Sequence, residues 1–283
     1  MSEPSDHTIK TYRYLRLSMV TLIFMLAASV AIEWWKTGQD CFQTSISAYY
    51  YTPVQAIFVG TLISIGVCMV ALKGNTDWED LLLNVGGMLA PAVALVPTPG
   101  KGACRSVPMT LRDTPADISN NMSALFVAGA LGLAITIGIA LKDRRDRRHT
   151  MGIVFAALVL GGGIAWFSWN RSGFTTGAHY TAAIALFVCI IAVVVLNARG
   201  YGREHMDPQD PRSAFANRYS VIAAAMVVSP VCMALWMWLF GWDHAVLWIE
   251  GALIASFAWF WLIQTQELWR EGLRLPAGAD QDG

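Results

Sequence analysis

Charge is the commodity this chain has least of: aspartate, glutamate, lysine and arginine make up 14% of its 283 residues, against roughly 25% in soluble domains. That is too little to solvate a globule of this size, so an ordinary water-soluble domain is excluded. Net charge of one sign is also lacking, with formal charge zero and a pI near 6.9. The balance therefore gives no footprint for a nucleic-acid partner or a polyanionic substrate. The five cysteines show no pair at the short spacing of a zinc site, and no cofactor or metal is expected.

What the chain has in quantity is apolar sequence, 55% hydrophobic residues with a mean hydropathy of +0.46, gathered in long runs. Stretches of about 17 to 25 residues without interior charge are bilayer-spanning candidates. They fall at 15–35, 54–72, 81–96, 122–141, 152–169, 180–196, 219–240 and 245–263. The expected fold is all-α, a polytopic bundle of about eight spans. Its parts are an N-terminal segment 1–14, a transmembrane domain 15–265 and a disordered tail 266–283. The third stretch carries Asn84, Gly86, Gly87 and Pro91, which need neighbouring helices and predict a place inside the bundle. Ser229-Pro230 predicts a kink in the seventh.

An even number of spans puts both termini on one side. With that side cytoplasmic, Lys36, Lys101, Arg105, Arg112 and Arg171 are the only basic residues left outside, a strong positive-inside asymmetry. The implied location is a cell membrane, multi-pass, with the lipid bilayer as the first partner. Trp34, Trp35, Trp166, Trp169, Trp236, Trp238, Trp242 and Trp248 fall near the outer ends, where amphipathic rings anchor. Arg13 and Arg16 before an apolar stretch ending in Ser29-Val30-Ala31 also fit a cleavable signal.

Ionisable groups at membrane depth are functional candidates by default. Glu250 lies about a turn and a half into the last span, and His179 opens the sixth. With Ser45, Ser47, Tyr49 and Tyr50 ahead of the second span, these predict a polar pocket facing outward. Glu33 and His244 read as solvated interface residues. Cys41 and Cys104 fall in the first two outer loops, where an oxidising exterior permits a bridge; two free thiols are the alternative. Ala124, Ala128, Gly132, Thr136 and Ala140 form a stripe suited to close helix packing inside the bundle, or to a seam between copies in a homo-oligomer. Gly161 to Gly163 suit the same packing.

Ser45-Ile46-Ser47-Ala48-Tyr49-Tyr50-Tyr51-Thr52-Pro53, followed by Ile57-Phe58-Val59-Gly60, resembles the signature of a bacterial family of uncharacterised multi-helix membrane proteins. Pro97-Thr98-Pro99, His179, Asn217-Arg218-Tyr219 and Trp248-Ile249-Glu250 resemble that family's pattern too, covering about 32–267. The resemblance implies a fold and a set of positions, without a reaction. A more distant comparison is with the alkaline ceramidases and progestin/adipoQ receptors, seven-helix hydrolases with serine, aspartate and three histidines around zinc. This sequence lacks their paired histidines one helical turn apart, which leaves only a mixed site of Glu250, His179 and His244.

Three functions stand open. One is a membrane protein that binds or moves a small solute or lipid. The others are a membrane-embedded lipid hydrolase using Ser45 or Ser47 with His179 and Glu250, and a structural or assembly partner.

Overall fold

The computed structural model describes residues 6–38, 42–99, 114–142, 147–205 and 216–274. Among them the chain is all-helical: α1 (Asp6–Thr37), a 3₁₀ turn (Ser47–Tyr51), α2 (Gln55–Ala71), α3 (Asp77–Leu95), α4 (Thr114–Lys142), α5 (Arg147–Trp169), α6 (Arg171–His205), α7 (Arg218–Phe240) and α8 (Ala245–Glu267). Six of these, α1 and α4 to α8, are long and apolar enough to cross a membrane, which marks a membrane-embedded protein. α2 is apolar but spans 17 residues, and α3 opens on Asp77, Glu79 and Asp80.

Local sequence sets the helix ends. Thr76 caps α3, its hydroxyl accepting from Glu79 N, and Asn217 caps α7 through Tyr219 N and Ser220 N, each satisfying donors that helix geometry leaves orphaned. Gly241 closes α7 at φ +63°, a left-handed conformation that glycine adopts without strain. α5 and α6 are separated by Asn170 alone, whose side chain accepts from Gly173 N at 2.9 Å.

α3 is the central element, lodged between α2 and α6 and also touching α4 and α5. Its approach to α2 is possible only because glycine faces glycine. A Cβ on Gly66 would stand 2.6 Å from the Gly87 carbonyl oxygen, and one on Gly87 would stand 2.6 Å from that of Gly66. Both α3 and α7 run through their internal prolines, Pro91 and Pro230, as single helices. α1, α2, α3, α6, α7 and α8 share the main core, with Met19, Met69, Tyr219, Met226, Phe260 and Trp261 at its centre.

α4 and α5 form an outlying hairpin. It is fastened at one end by the cluster of Phe126, Phe167, Phe174 and Trp166, with ring centroids 5.1 to 6.4 Å apart. Beyond that cluster the pair parts from the bundle around an apolar cavity of about 760 Å³. Val127, Leu131, Ile135 and Ile139 on α4 and Leu158 on α5 point outward, as residues facing hydrocarbon do.

Two packing expectations are corrected here. Ala124, Ala128, Gly132 and Thr136 are exposed, with nothing within 4 Å of the Gly132 Cβ position; the stripe is not buried in the bundle, because only the aromatic end of α4 reaches it. Of Gly161 to Gly163 in α5, Gly163 alone meets a neighbour, Phe126 of α4. The expected loose tail 266–283 is corrected over 266–274; 275–283 lie outside the described residues. Glu267 belongs to α8, and residues 268–274 turn back to bury Leu268 and Arg274 against the bundle.

Replacing Gly87 with valine should force α2 and α3 apart, since overpacking typically costs about 1–3 kcal/mol. A lower unfolding temperature in detergent, with Gly60→Ala on the open side of α2 as a neutral control, is the expected result.

Candidate functional site

Two polar clusters lie at opposite ends of the bundle, and α3, α6 and α8 reach both. At the first, Glu250 of α8 accepts from Ile46 N (2.6 Å) and Ser47 N (3.2 Å) with Oε2, and from the Ser47 hydroxyl with Oε1 (3.1 Å). The Ser45 and Ser47 hydroxyls are 3.1 Å apart, and Ala48 N donates to Ser45 Oγ. Proton directions then run one way, from Ala48 N through Ser45 and Ser47 to the carboxylate. Glu250 thus pins the 3₁₀ turn to α8, helped by Leu247 N donating to Thr44 O at 3.0 Å.

His179, 2% exposed, turns Nδ1 to the end of α3, at 2.7 Å from Val96 O and 3.1 Å from Val93 O. Carbonyl oxygens only accept, so Nδ1 carries the proton and, in the neutral ring, Nε2 keeps its lone pair. Nε2 has no partner among the described residues.

A cavity of about 550 Å³ joins these groups, within the range of small-molecule sites. Ser45, Ser47, Thr98, His179, Asp243 and Glu250 form its polar wall; Ile184, Phe187, Val188, Ile191, Ile249 and Leu253 form its apolar wall. Ile184 and Val188 are well exposed on the outer face of α6, so the cavity opens sideways as well as at its polar mouth.

Of the sequence candidates, Ser45, Ser47, His179 and Glu250 come together around this cavity. Tyr49 and Tyr50 do not line it. They are buried with Leu26, Val54, Phe58 and Leu247, where they anchor the 3₁₀ turn, because the winding of the turn carries them away from the side on which Ser47 and Ala48 line the cavity. The tyrosine that lines it is Tyr180, while Tyr51 meets only its edge, its hydroxyl donating to the lining residue Thr98 through Thr98 O at 2.7 Å. Burial pushes the Tyr51 phenol up, with Tyr50 and Tyr180 adding to it, and burial also raises Tyr49, so both remain protonated donors. Glu33 is buried rather than solvated. His244 turns Nδ1 to Gln43 O at 3.2 Å and lies outside the cavity wall. Among the described residues no three histidine, cysteine or acidic side chains gather as metal ligands, so Glu250, His179 and His244 do not make the mixed site. Cys41 and Cys104 lie outside the described residues; Cys68, Cys189 and Cys232 are free thiols.

The second cluster, at the opposite end, is one that sequence reasoning missed. Glu267 receives Arg274 on Oε1, with Nε at 2.7 Å and Nη2 closer still, and Arg218 Nη2 on Oε2 at 2.9 Å, where the Tyr219 hydroxyl also donates. The side chains of Arg274 and Glu267 are 6% and 9% exposed. Arg274 also reaches Asn197 O (3.1 Å) through Nη1 and Asn75 Oδ1 (2.9 Å) through its backbone N–H. Asn197 in turn donates to Glu79 and accepts from Gln264 Nε2 at 2.9 Å. Arg16 donates to Gly272 O at 2.7 Å. In the sequence its arginines, Arg16, Arg218 and Arg274, count toward the positive-inside asymmetry, and its acidic and amide members carry no signal of their own. The available signal was that five helices each bring a polar residue to within a turn of the same apolar boundary.

Compared with protein-family models, with curated proteins and with solved structures, the chain matches none.

Removing one member of a buried ion pair strands the other and costs about 3–5 kcal/mol. Glu267→Ala should therefore unfold at markedly lower temperature than Arg218→Ala, whose side chain is 36% exposed. At the other end, Glu250→Ala should leave global stability less affected but raise amide exchange at Ile46 and Ser47, measured by hydrogen–deuterium exchange.

Proposed function

We propose that the protein crosses a bacterial plasma membrane eight times with both termini cytoplasmic, and that it binds or moves a small amphiphile or lipid in the cavity beside His179. The eight-span reading adds α2 and α3 to the six longer helices. Nineteen residues of α3 reach about 28 Å, near the hydrocarbon thickness of about 30 Å, and the ends of α3 join the same two clusters as α6 and α8.

The observation that carries the ligand reading is the cavity's two-sided lining: a polar wall of serine, threonine, histidine and carboxylate, continuous with an apolar wall that opens toward the outer face of α6. That matches a molecule with a polar head and a hydrocarbon body. The resemblance to the bacterial membrane family agrees with it in fold while assigning no reaction.

A hydrolase is the second reading, favoured by the Ser47 hydroxyl donating directly to Glu250. It is weaker because His179 spends Nδ1 on carbonyls of α3 instead of on an acid that would orient it as a base.

Native mass spectrometry of protein released gently from membranes tests the first reading. Wild type should retain an amphiphile that Ile184→Trp and Leu253→Trp, which fill the apolar wall, both lose. Equal retention by all three proteins, or retention by none, overturns it; release of a hydrolysed product by wild type and not by Ser47→Ala favours the second reading.

A further inference from the structure

The cavity's charge is one-sided. Among the described residues its wall holds two carboxylates, Asp243 and Glu250, and one histidine, and it holds no lysine or arginine. The two carboxylates differ in how far they are committed. Glu250 already accepts three hydrogen bonds, from Ile46 N, Ser47 N and the Ser47 hydroxyl, whereas Asp243 is exposed and has no ion-pair or hydrogen-bond partner among the described residues. His179 supplies an independent indication. It is almost wholly buried, it lines the cavity, and its proton is fixed on Nδ1 by two carbonyls, so the group left for a ligand is the Nε2 lone pair, an acceptor. The mouth thus offers acceptors and negative charge, and below it lies a slot of Ile184, Val188, Ile249 and Leu253.

Resting on the amphiphile reading above, we propose that the ligand is a single-chain amphiphile with an ammonium head group, its N–H donors directed to Asp243 and His179 and its chain laid along the slot. An anionic head, phosphate or carboxylate, is disfavoured by the same groups, because a like charge beside Asp243 in a partly desolvated mouth is repelled.

Titrating purified protein in detergent with hexadecylamine, hexadecanol and palmitate, with Ile184→Trp as the blank for micelle partitioning, tests this. Wild type should bind hexadecylamine above the blank and more tightly than the other two. Asp243→Asn, at an exposed position that does not threaten folding, should weaken hexadecylamine about tenfold, the scale of a lost charge-assisted hydrogen bond, while leaving hexadecanol unchanged. Asp243→Lys should shift the preference to palmitate. Equal binding of all three probes, tighter binding of palmitate by wild type, or no effect of Asp243→Asn overturns the ammonium assignment and leaves the amphiphile reading standing. No probe binding above the blank defeats both.

Discussion

The carboxylate of Glu267 holds this bundle together at one end. A charge with its side chain 9% exposed is far out of water, and desolvation of that kind is tolerated only where several donors converge on it. Here the donors come from α7, through Arg218 and Tyr219, and from the segment beyond α8, through Arg274. Arg274 extends the arrangement to α6 at Asn197 and to the start of α3 at Asn75, and Gly272 in the same segment receives Arg16 of α1. The returning segment 268–274 is therefore structural. Without it, Arg16, Asn75 and Asn197 would each lose a partner inside the protein.

With one end tied by charge, the rest of the fold needs little more than shape. The α2–α3 contact is set by Gly66 against Gly87, and the core between the two polar ends is almost purely apolar, with Thr61 bonding weakly back to Leu22 O at 3.5 Å. α4 and α5 take no part in either cluster. They hang from four aromatic rings and Met122 at one end, which explains both the outward-facing valines and leucines on them and the large apolar cavity behind them. In a bilayer that gap costs little, since hydrocarbon fills what protein does not.

How much of this the sequence revealed follows from which physics each feature obeys. Helix positions were legible because long uncharged runs have one stable solution in lipid, and all eight helices fall on the runs read from the sequence. Ser45, Ser47, His179 and Glu250 were legible as a group because each is a polar residue at apolar depth near the same boundary. Tyr49 and Tyr50 were misplaced because side-chain direction in a five-residue 3₁₀ turn depends on where Glu250 clamps it, 200 residues away in sequence. The outward turn of the α4 stripe was hidden for a related reason: small residues permit close packing without saying which helix, if any, comes close. The Glu267 network was hidden because basic residues at helix ends are also what a topology signal looks like. Only the convergence of Arg218 and Arg274 on Glu267, with the link from Arg274 through Asn197 to Glu79, separates a buried network from a solvated belt.

The contrast between the two ends bears on where a ligand has room. At the Glu267 end the charged groups largely consume one another, and polar atoms left over there, Arg16 Nε and Nη1, Arg218 Nε, Ser220 Oγ, Trp261 Nε1 and Gln264 Oε1 among them, are enclosed and line neither of the two large cavities. They are suited to internal water, which satisfies such groups in most proteins. At the His179 end the position is reversed. Glu250 uses its oxygens to hold the 3₁₀ turn, while Asp243 and the far side of His179, beside open volume, have no partner among the described residues. The hydrogen bonds that hold the 3₁₀ turn to α8 shape the wall, and the groups beside it that take no part in them are the ones a ligand can reach.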